Sequence, residues 1–545
     1  MIKNPILPGF NPDPSILRVG DDYYIATSSF EWFPGIPIYH SKDLVHWRLL
    51  DYALKTKEHI DLQSLAPSKG VWAPCLSYSE EESLFYITYS NVYDRNRWHF
   101  DIDNLLITAK SIHGPWSRPS YINSSGIDPS LFHDTDSNKK WIINQERDFR
   151  PGTETRRPII IQEYDSKARK LIGEPVRLTY GATARGFTEG AHIYKRKGFY
   201  YLLTAEGGTG YGHCSAVMRS RSITGPYESC PHNPILTSCL KDVPMNPDKS
   251  FYLTELYNPD LVLQKAGHGS LVETQNGEWY MAHLCARPVM PMLRCVLGRE
   301  TAIQKMEWTE DDWIKKSGDK LPLEYAEPPE LAVCSFPKEP ARDDFDGDEL
   351  NLCFNTPRNP ITPDWADIKS KKGRLRLRGR ESLCSNHNPS LIARRLTAFN
   401  ARITVKMSFS ASRYQHVAGL TCYYEPFNYY YIAKTYSEQT ETNVLAIYGM
   451  INKKLAGFDE SVIIVGREEE VWLRAEVNTD KLQFLYSLDG ITFDKLGNVF
   501  DMTALSDEAS EFGEFTGTFV GMFAQDSHTR ENWAEFDYFE YEENV

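Results

Sequence analysis

The sequence predicts an all-β protein, a five-bladed β-propeller followed by a β-sandwich. Three observations predict it. Strand-like pairs recur through about the first 300 residues at intervals of about 55–80 residues. Helical periodicity is almost absent along the chain. A proline-rich, acidic stretch then separates the recurring part from a second run of short strands. A chain of 545 residues is also too long for one ordinary core, so two or more domains are expected.

Each repeat reads as a short strand opened by a polar residue, a turn, and a strand with adjacent aromatics. The second strands are Asp22-Tyr23-Tyr24-Ile25, Leu84-Phe85-Tyr86-Ile87, Lys140-Trp141-Ile142-Ile143, Phe199-Tyr200-Tyr201-Leu202 and Trp279-Tyr280-Met281. The strands ahead of them begin near Asp13, Ala73, Asp128, Glu189 and Gly269. A third element, Ser41–Trp47, Ala109–Trp116 and Ser220–Tyr227, ends each time in Trp or Tyr and reads as closing a blade. Five blades radially arranged account for these signals, ending near Glu307-Trp308 in a propeller domain of residues 1–321. Residues 322–342 carry Pro322, Pro328, Pro329, Pro337 and Pro340 among several acids and read as a linker. From residue 343 to 545 short strands return, from Leu375–Arg380 to Glu535–Tyr541, with turn signals between them, which is the pattern of a β-sandwich.

The composition narrows the partners. Hydrophobic residues are 41%, charged residues 25%, and aromatics 13%, a high share that suits the gripping of apolar or sugar-like rings. A net charge of -14 with no basic run disfavours nucleic acid and anionic membrane. No stretch approaches the roughly 18 apolar residues of a membrane-spanning helix, and the N-terminus does not read as a signal peptide. The ten cysteines form no CxxC pair and read as reduced thiols, so a cytoplasmic protein is expected. Homo-oligomerisation is left open by the sequence.

Three blades open with a carboxylate: Asn11-Pro12-Asp13-Pro14-Ser15, Gly126-Ile127-Asp128-Pro129-Ser130 and Phe187-Thr188-Glu189-Gly190-Ala191. Alone, Asp before Pro is turn chemistry. At matched positions of inner propeller strands, however, such residues converge on one mouth of the channel. Carboxylates held together push their pKa values apart, so one stays protonated while another stays ionised. Glycoside hydrolysis needs that division, because the leaving oxygen gains a proton while water loses one. Phe30 and Trp72 could offer faces for sugar rings, although either also suits core packing. His268 opens the fifth blade and could sit near the acids, and Arg299 could donate paired hydrogen bonds to sugar hydroxyls.

These motifs resemble glycoside hydrolase family 43, in its branch of β-xylosidases and α-L-arabinofuranosidases. The matching segments are Gly9–Ser15, Ser29–Gly35, Trp72-Ala73-Pro74, Asp128–Phe132, Thr188–His192, Ala205–Thr209 and Gly298–Ala302. Phe515–Gly521 and Phe536–Phe539 look like the family's accessory sandwich, a jelly-roll, concanavalin-like domain. The resemblance implies that Asp13 is the general base, Glu189 the general acid, and Asp128 the residue that orients Glu189 and keeps its pKa high. It implies inversion at the anomeric carbon, a role for Arg299 on the terminal sugar, and Phe515 or a neighbour reaching back to close the pocket. No cofactor is required by it, although a hydrated calcium or sodium ion near His268 is implied.

Two departures bear on the sugar. Asn144-Gln145-Glu146-Arg147-Asp148 lacks the Trp that β-xylosidases of this branch carry before the Asp, and the loop from Arg287-Pro288 to Gly298 is short. Both favour α-L-arabinofuranose over β-D-xylose as the terminal pentose, with dual activity left open, released by an exo-acting enzyme from small arabinoxylan-derived oligosaccharides. A strict β-D-xylosidase and a non-catalytic sugar-binding propeller are the alternatives. A retaining fructosidase is disfavoured by the absence of Asn-Asp-Pro-Asn and Arg-Asp-Pro motifs.

Overall fold

The computed structural model describes residues 1–545 except 97–98, 154–156, 242–243 and 245–252, and except the side chains of 459–462. Five antiparallel sheets follow one another along the first part of the chain. Their innermost strands are Ser15–Val19, Gly70–Ser79, Ser130–Asp134, Glu189–Arg196 and Gln264–Glu273. Each pairs outward with an aromatic strand that the sequence singled out: Asp22–Ala26, Leu84–Arg95, Lys139–Gln145, Phe199–Glu206 and Trp279–Ala286. Each innermost strand lies against the next, and the fifth lies against the first, so the ring closes as a five-bladed propeller. Alternating side chains of neighbouring blades supply the packing between them, as with Ile38, Val71, Leu76 and Ile87 between blades one and two. Full burial of each such side chain contributes about 1.5–3 kcal/mol.

The N-terminal segment helps to seal the ring. Leu7 exchanges backbone hydrogen bonds with Thr301, and the Asn4 amide donates to the carbonyls of Ile303 and Leu323. The third repeated element proves to be a turn between the third and fourth strands. In blade one, Asp43 Oδ1 accepts the N–H groups of Val45 and His46 ahead of Arg48–Leu54. Blade five has its own version, where the Thr309 hydroxyl accepts the Trp313 N–H. That blade therefore runs past Trp308, where the sequence ended it, to an outer strand at Ile314–Lys316.

The stretch 322–342 lies along the propeller as far as Phe336, and its end joins the sandwich, where Arg342 pairs with Glu540. Tyr325–Ala326 pairs with Ile2–Lys3, Cys334 N–H donates to Asp43 Oδ2 at 2.8 Å, and the Arg48 guanidinium lies 4.5 Å over the Phe336 ring. The prolines keep this strap extended, and its side chains bind it to the surface.

Beyond the strap, two sheets form a sandwich. One runs Ser390–Arg395, Phe519–Asp526, His416–Glu425, Asn428–Ser437, Thr442–Ile451 and Lys454–Val465 in spatial order. The other is centred on Trp533–Glu543, Asn400–Ser408, Val471–Asn478 and Lys481–Ser487. Strict alternation of buried and part-exposed residues along Val471–Asn478 turns Leu473 and Ala475 onto Ile403, Leu420, Ile432 and Phe536. The sandwich also docks on the propeller. Trp32 stacks on Phe519 with ring centroids 3.5 Å apart, and Thr356–Pro357 pairs with Trp32–Phe33. Gly298, at φ 76°, lets the two backbones meet, since a Cβ there would stand 2.3 Å from the Thr516 carbonyl oxygen. This contact brings Phe515 to the mouth of the channel.

Candidate active site

Five residues with left-handed backbone ring the channel mouth: Asp13, Ala73, Asp128, Gly190 and His268, with φ between 40° and 59°. Each stands two residues before a polar residue of its inner strand, Ser15, Cys75, Ser130, His192 and Ser270. A non-glycine residue in this region is strained, and it persists where the surrounding structure holds it. Asp13 and Asp128 occupy this position. Glu189 does not: it stands one residue earlier, beside Gly190, so the third carboxylate is offset by one from the register the sequence suggested.

Asp13, Asp128, Glu189, His268, Phe30, Trp72, Arg299 and Phe515 nevertheless line one pocket. Asp13 is 6% exposed. Its Oδ2 accepts the Ser28 hydroxyl at 2.7 Å, and that hydroxyl in turn accepts the Ala73 N–H. Its Oδ1 accepts Arg299 Nη1 at 3.1 Å and lies 3.5 Å from His268 Nδ1. Burial alone would raise this carboxyl, but Arg299, His268 and the Ser28 hydroxyl together hold it below the usual carboxylate range. Asp13 is thus kept ionised. Asp128 is the opposite case. Burial and the neighbouring charges of Glu189 and Asp13 push it well above the ordinary value, against one stabilising N–H from Gly190 at 2.9 Å. The two aspartates are thus driven in opposite directions. Glu189 Oε2 accepts Gln145 Nε2 at 3.3 Å and Arg157 Nη1 at 3.4 Å.

Above the acids, three rings form a cup. Phe30 lies 5.5 Å from Trp72 and 6.2 Å from Phe515, and Trp72 lies 5.6 Å from Phe515. Arg299 binds this lid to the base. Its Nε and Nη2 donate to the Phe515 carbonyl at 3.4 and 3.1 Å while Nη1 holds Asp13.

Comparisons with known proteins recover the same two parts of the chain, the propeller that carries these acids and the sandwich that carries Phe515. Residues 2–314 match the model of glycosyl hydrolases family 43, and residues 342–542 match the β-xylosidase C-terminal concanavalin A-like domain. The chain belongs to glycosyl hydrolases family 43. This family 43 chain is 41% identical to a xylan 1,3-β-xylosidase of a Vibrio species, over 100% of this chain and 99% of the other. It is also 41% identical to xylosidase/arabinosidase 43B of Humicola insolens, over 99% of this chain and 97% of the other. Among solved structures it is similar to a xylan β-1,4-xylosidase from Bacillus halodurans C-125, with a TM-score of 0.93, 44% identity and complete coverage of both chains.

The family 43 pocket has further walls that sequence reasoning did not reach. Arg95 pairs with Glu514 and lies 4.7 Å over Phe515 and 5.6 Å over Trp72, bracing the lid from the propeller side. Phe100, Ile127, Arg157 and Thr209 also face the cavity. Arg95 closes the strand that pairs with the Trp72 strand, so the hairpin of blade two was its one sequence signal. Arg157 stands in a loop with no repeat signal at all. His268 is turned to Asp13, and among the described residues no three His, Cys, Asp or Glu side chains converge on a metal-sized site. Among the described residues, the side chains of this family 43 site therefore supply no direct coordination shell.

Proposed function

We propose that the chain is an exo-acting, inverting hydrolase that removes one terminal pentose, β-D-xylose or α-L-arabinofuranose, from short arabinoxylan-derived oligosaccharides. The observation that carries this reading is the pocket itself: three carboxyls, of which Asp13 is pushed down and Asp128 up, beneath a cup closed by Phe515. In this reading Asp13 takes a proton from the attacking water, Glu189 protonates the leaving oxygen, and Asp128 orients Glu189 and keeps its pKa high. The cup stacks on one sugar ring, and the closed end leaves no path for a continuing chain. Arg299 keeps Asp13 ionised and turned to the water while it pins the lid.

The names of the relatives move the weight towards β-D-xylose from the arabinofuranose that the missing Trp favoured. Arabinofuranose stays as the second sugar because the Humicola relative is named for both activities. The hydrated calcium or sodium ion near His268 enters only as a charge held through waters, and no step is routed through it. A cytoplasmic setting remains part of the proposal, resting on ten cysteines of which none is in a disulfide. The test is a comparison of nitrophenyl β-D-xyloside, nitrophenyl α-L-arabinofuranoside and polymeric arabinoxylan. Single pentoses should appear from all active substrates, and release of internal fragments would overturn the exo reading.

A further inference from the structure

Among the described residues, both side-chain donors to the Glu189 carboxyl fall on one oxygen. Gln145 Nε2 and Arg157 Nη1 converge on Oε2. The orientation of the Gln145 amide is fixed, because its Nε2 also donates to the Thr188 carbonyl at 3.0 Å, and a carbonyl can only accept. Gln145 itself is fully buried, with its N–H on the Ile127 carbonyl beside Asp128. Arg157 is held with its guanidinium 4.4 Å over the Phe187 ring. Both residues come from blade three, whereas the acid they grip belongs to blade four. Asp128, also of blade three, is tied back to the acid's neighbour through the Gly190 N–H.

We propose that Arg157, with Gln145, is a positioning residue for the proton donor, holding Oε2 of Glu189 so that the acidic proton rides on Oε1. This rests on the reading of Glu189 as the general acid. An oxygen that accepts two N–H donors is the carbonyl-like one of a carboxylic acid, so the O–H belongs to its partner. In the chemical step the Oε1 proton passes to the glycosidic oxygen, which takes the electron pair of the breaking C–O bond. Negative charge then develops on Glu189, and the two donors on Oε2 strengthen as it does. The positive charge of Arg157 favours the ionised acid, and the negative charge of Asp128 disfavours it. Among the described residues, the other charged groups around the acid are Arg147, which feels Glu189, Asp13, which acts on Asp128, and His268 against Gly190. Arg157 thus opposes Asp128 in setting where the pair gives up its proton, and leaves the donor strong enough to release it at the transition state.

The experiment is the pH profile of kcat/KM for Arg157→Met and Gln145→Leu on aryl glycosides of graded leaving-group acidity. Arg157→Met should move the upper limb to higher pH by about 1 unit, because an opposite charge close to a carboxyl lowers its pKa. Gln145→Leu should move it the same way by less. Both should slow poor leaving groups at least tenfold and spare good ones, and Arg157→Lys should restore the limb. Glu189→Ala is run on the same series. Absence of leaving-group rescue in that variant would remove the acid assignment and this proposal with it. Rescue in Glu189→Ala with an unmoved upper limb in the folded Arg157 and Gln145 variants would overturn this proposal alone.

Discussion

Glu425 is 1% exposed beneath the segment that carries Phe515 into the pocket, and replacing it by glutamine should stabilise the protein at high pH only. Its Oε1 accepts the Ser510 hydroxyl at 2.7 Å, and its Oε2 has no hydrogen-bond partner among the described residues. Burial, assisted by the nearby Glu31, pushes the carboxyl up to about 7 from the ordinary 4.5. In the unfolded chain the same group ionises at the ordinary value. Between pH 4.5 and about 7 the native state therefore holds a proton that the unfolded state has lost, so stability falls as pH rises and is level above. At about 1.36 kcal/mol per pH unit, the rise amounts to roughly 3 kcal/mol. Glu425→Gln keeps the acceptor for Ser510 and removes the titration. Thermal unfolding at pH 4.5 and pH 8 measures the effect. The variant should match the parent at the lower pH and unfold at a higher temperature at pH 8, with kcat/KM unchanged. An equal effect at both pH values, or no gain at pH 8, would refute the reasoning.

Asp13→Ala should lower kcat by at least 10³-fold on every substrate while thermal unfolding stays near that of the parent, and Glu189→Ala should recover most of its loss on nitrophenyl substrates, as kinetics on paired leaving groups would show. Asp128→Asn should move the upper limb of the kcat/KM profile to lower pH by about 1 unit, because removing a like charge makes Glu189 easier to ionise. Arg299→Met should move the lower limb to higher pH by about 1 unit, since the guanidinium is the foremost group opposing burial at Asp13. The base then takes up its proton sooner as pH falls, and the profile narrows from the acid side.

Asp13 and Asp128 were legible because each stands in an Asp-Pro-Ser turn at the head of a repeat, and the repeat itself puts those turns on one axis. Glu189 was legible by the same repeat, although Gly190, one residue on, takes the left-handed backbone that its counterparts show. Gln145 and Arg157 were not legible as partners of Glu189. One ends a second strand and the other sits in a loop, and their reach to the next blade depends on how the blades lean together. The strap shows a similar limit. Its prolines announce an extended chain, but whether that chain hangs free or lies on the propeller is decided by Phe336 meeting Arg48 and by the Cys334 N–H meeting Asp43. The outer strand of blade five was missed because Thr309-Glu310-Asp311-Asp312-Trp313 shares only its final Trp with the other turns of its kind in a way the eye can align. Arg299 was expected to face the sugar. Its hold on the Phe515 carbonyl required a contact between residues 216 apart in the chain, across two domains.

The most direct measurement on the central claim is the anomeric configuration of the sugar first released, followed by proton NMR during hydrolysis of nitrophenyl β-D-xyloside. With Asp13 activating water on the face opposite the leaving group, the account expects α-xylose to appear first and β-xylose only later, as the free sugar mutarotates. Initial release of β-xylose would contradict it, because retention requires a carboxylate to attack the sugar and would make Asp13 a nucleophile.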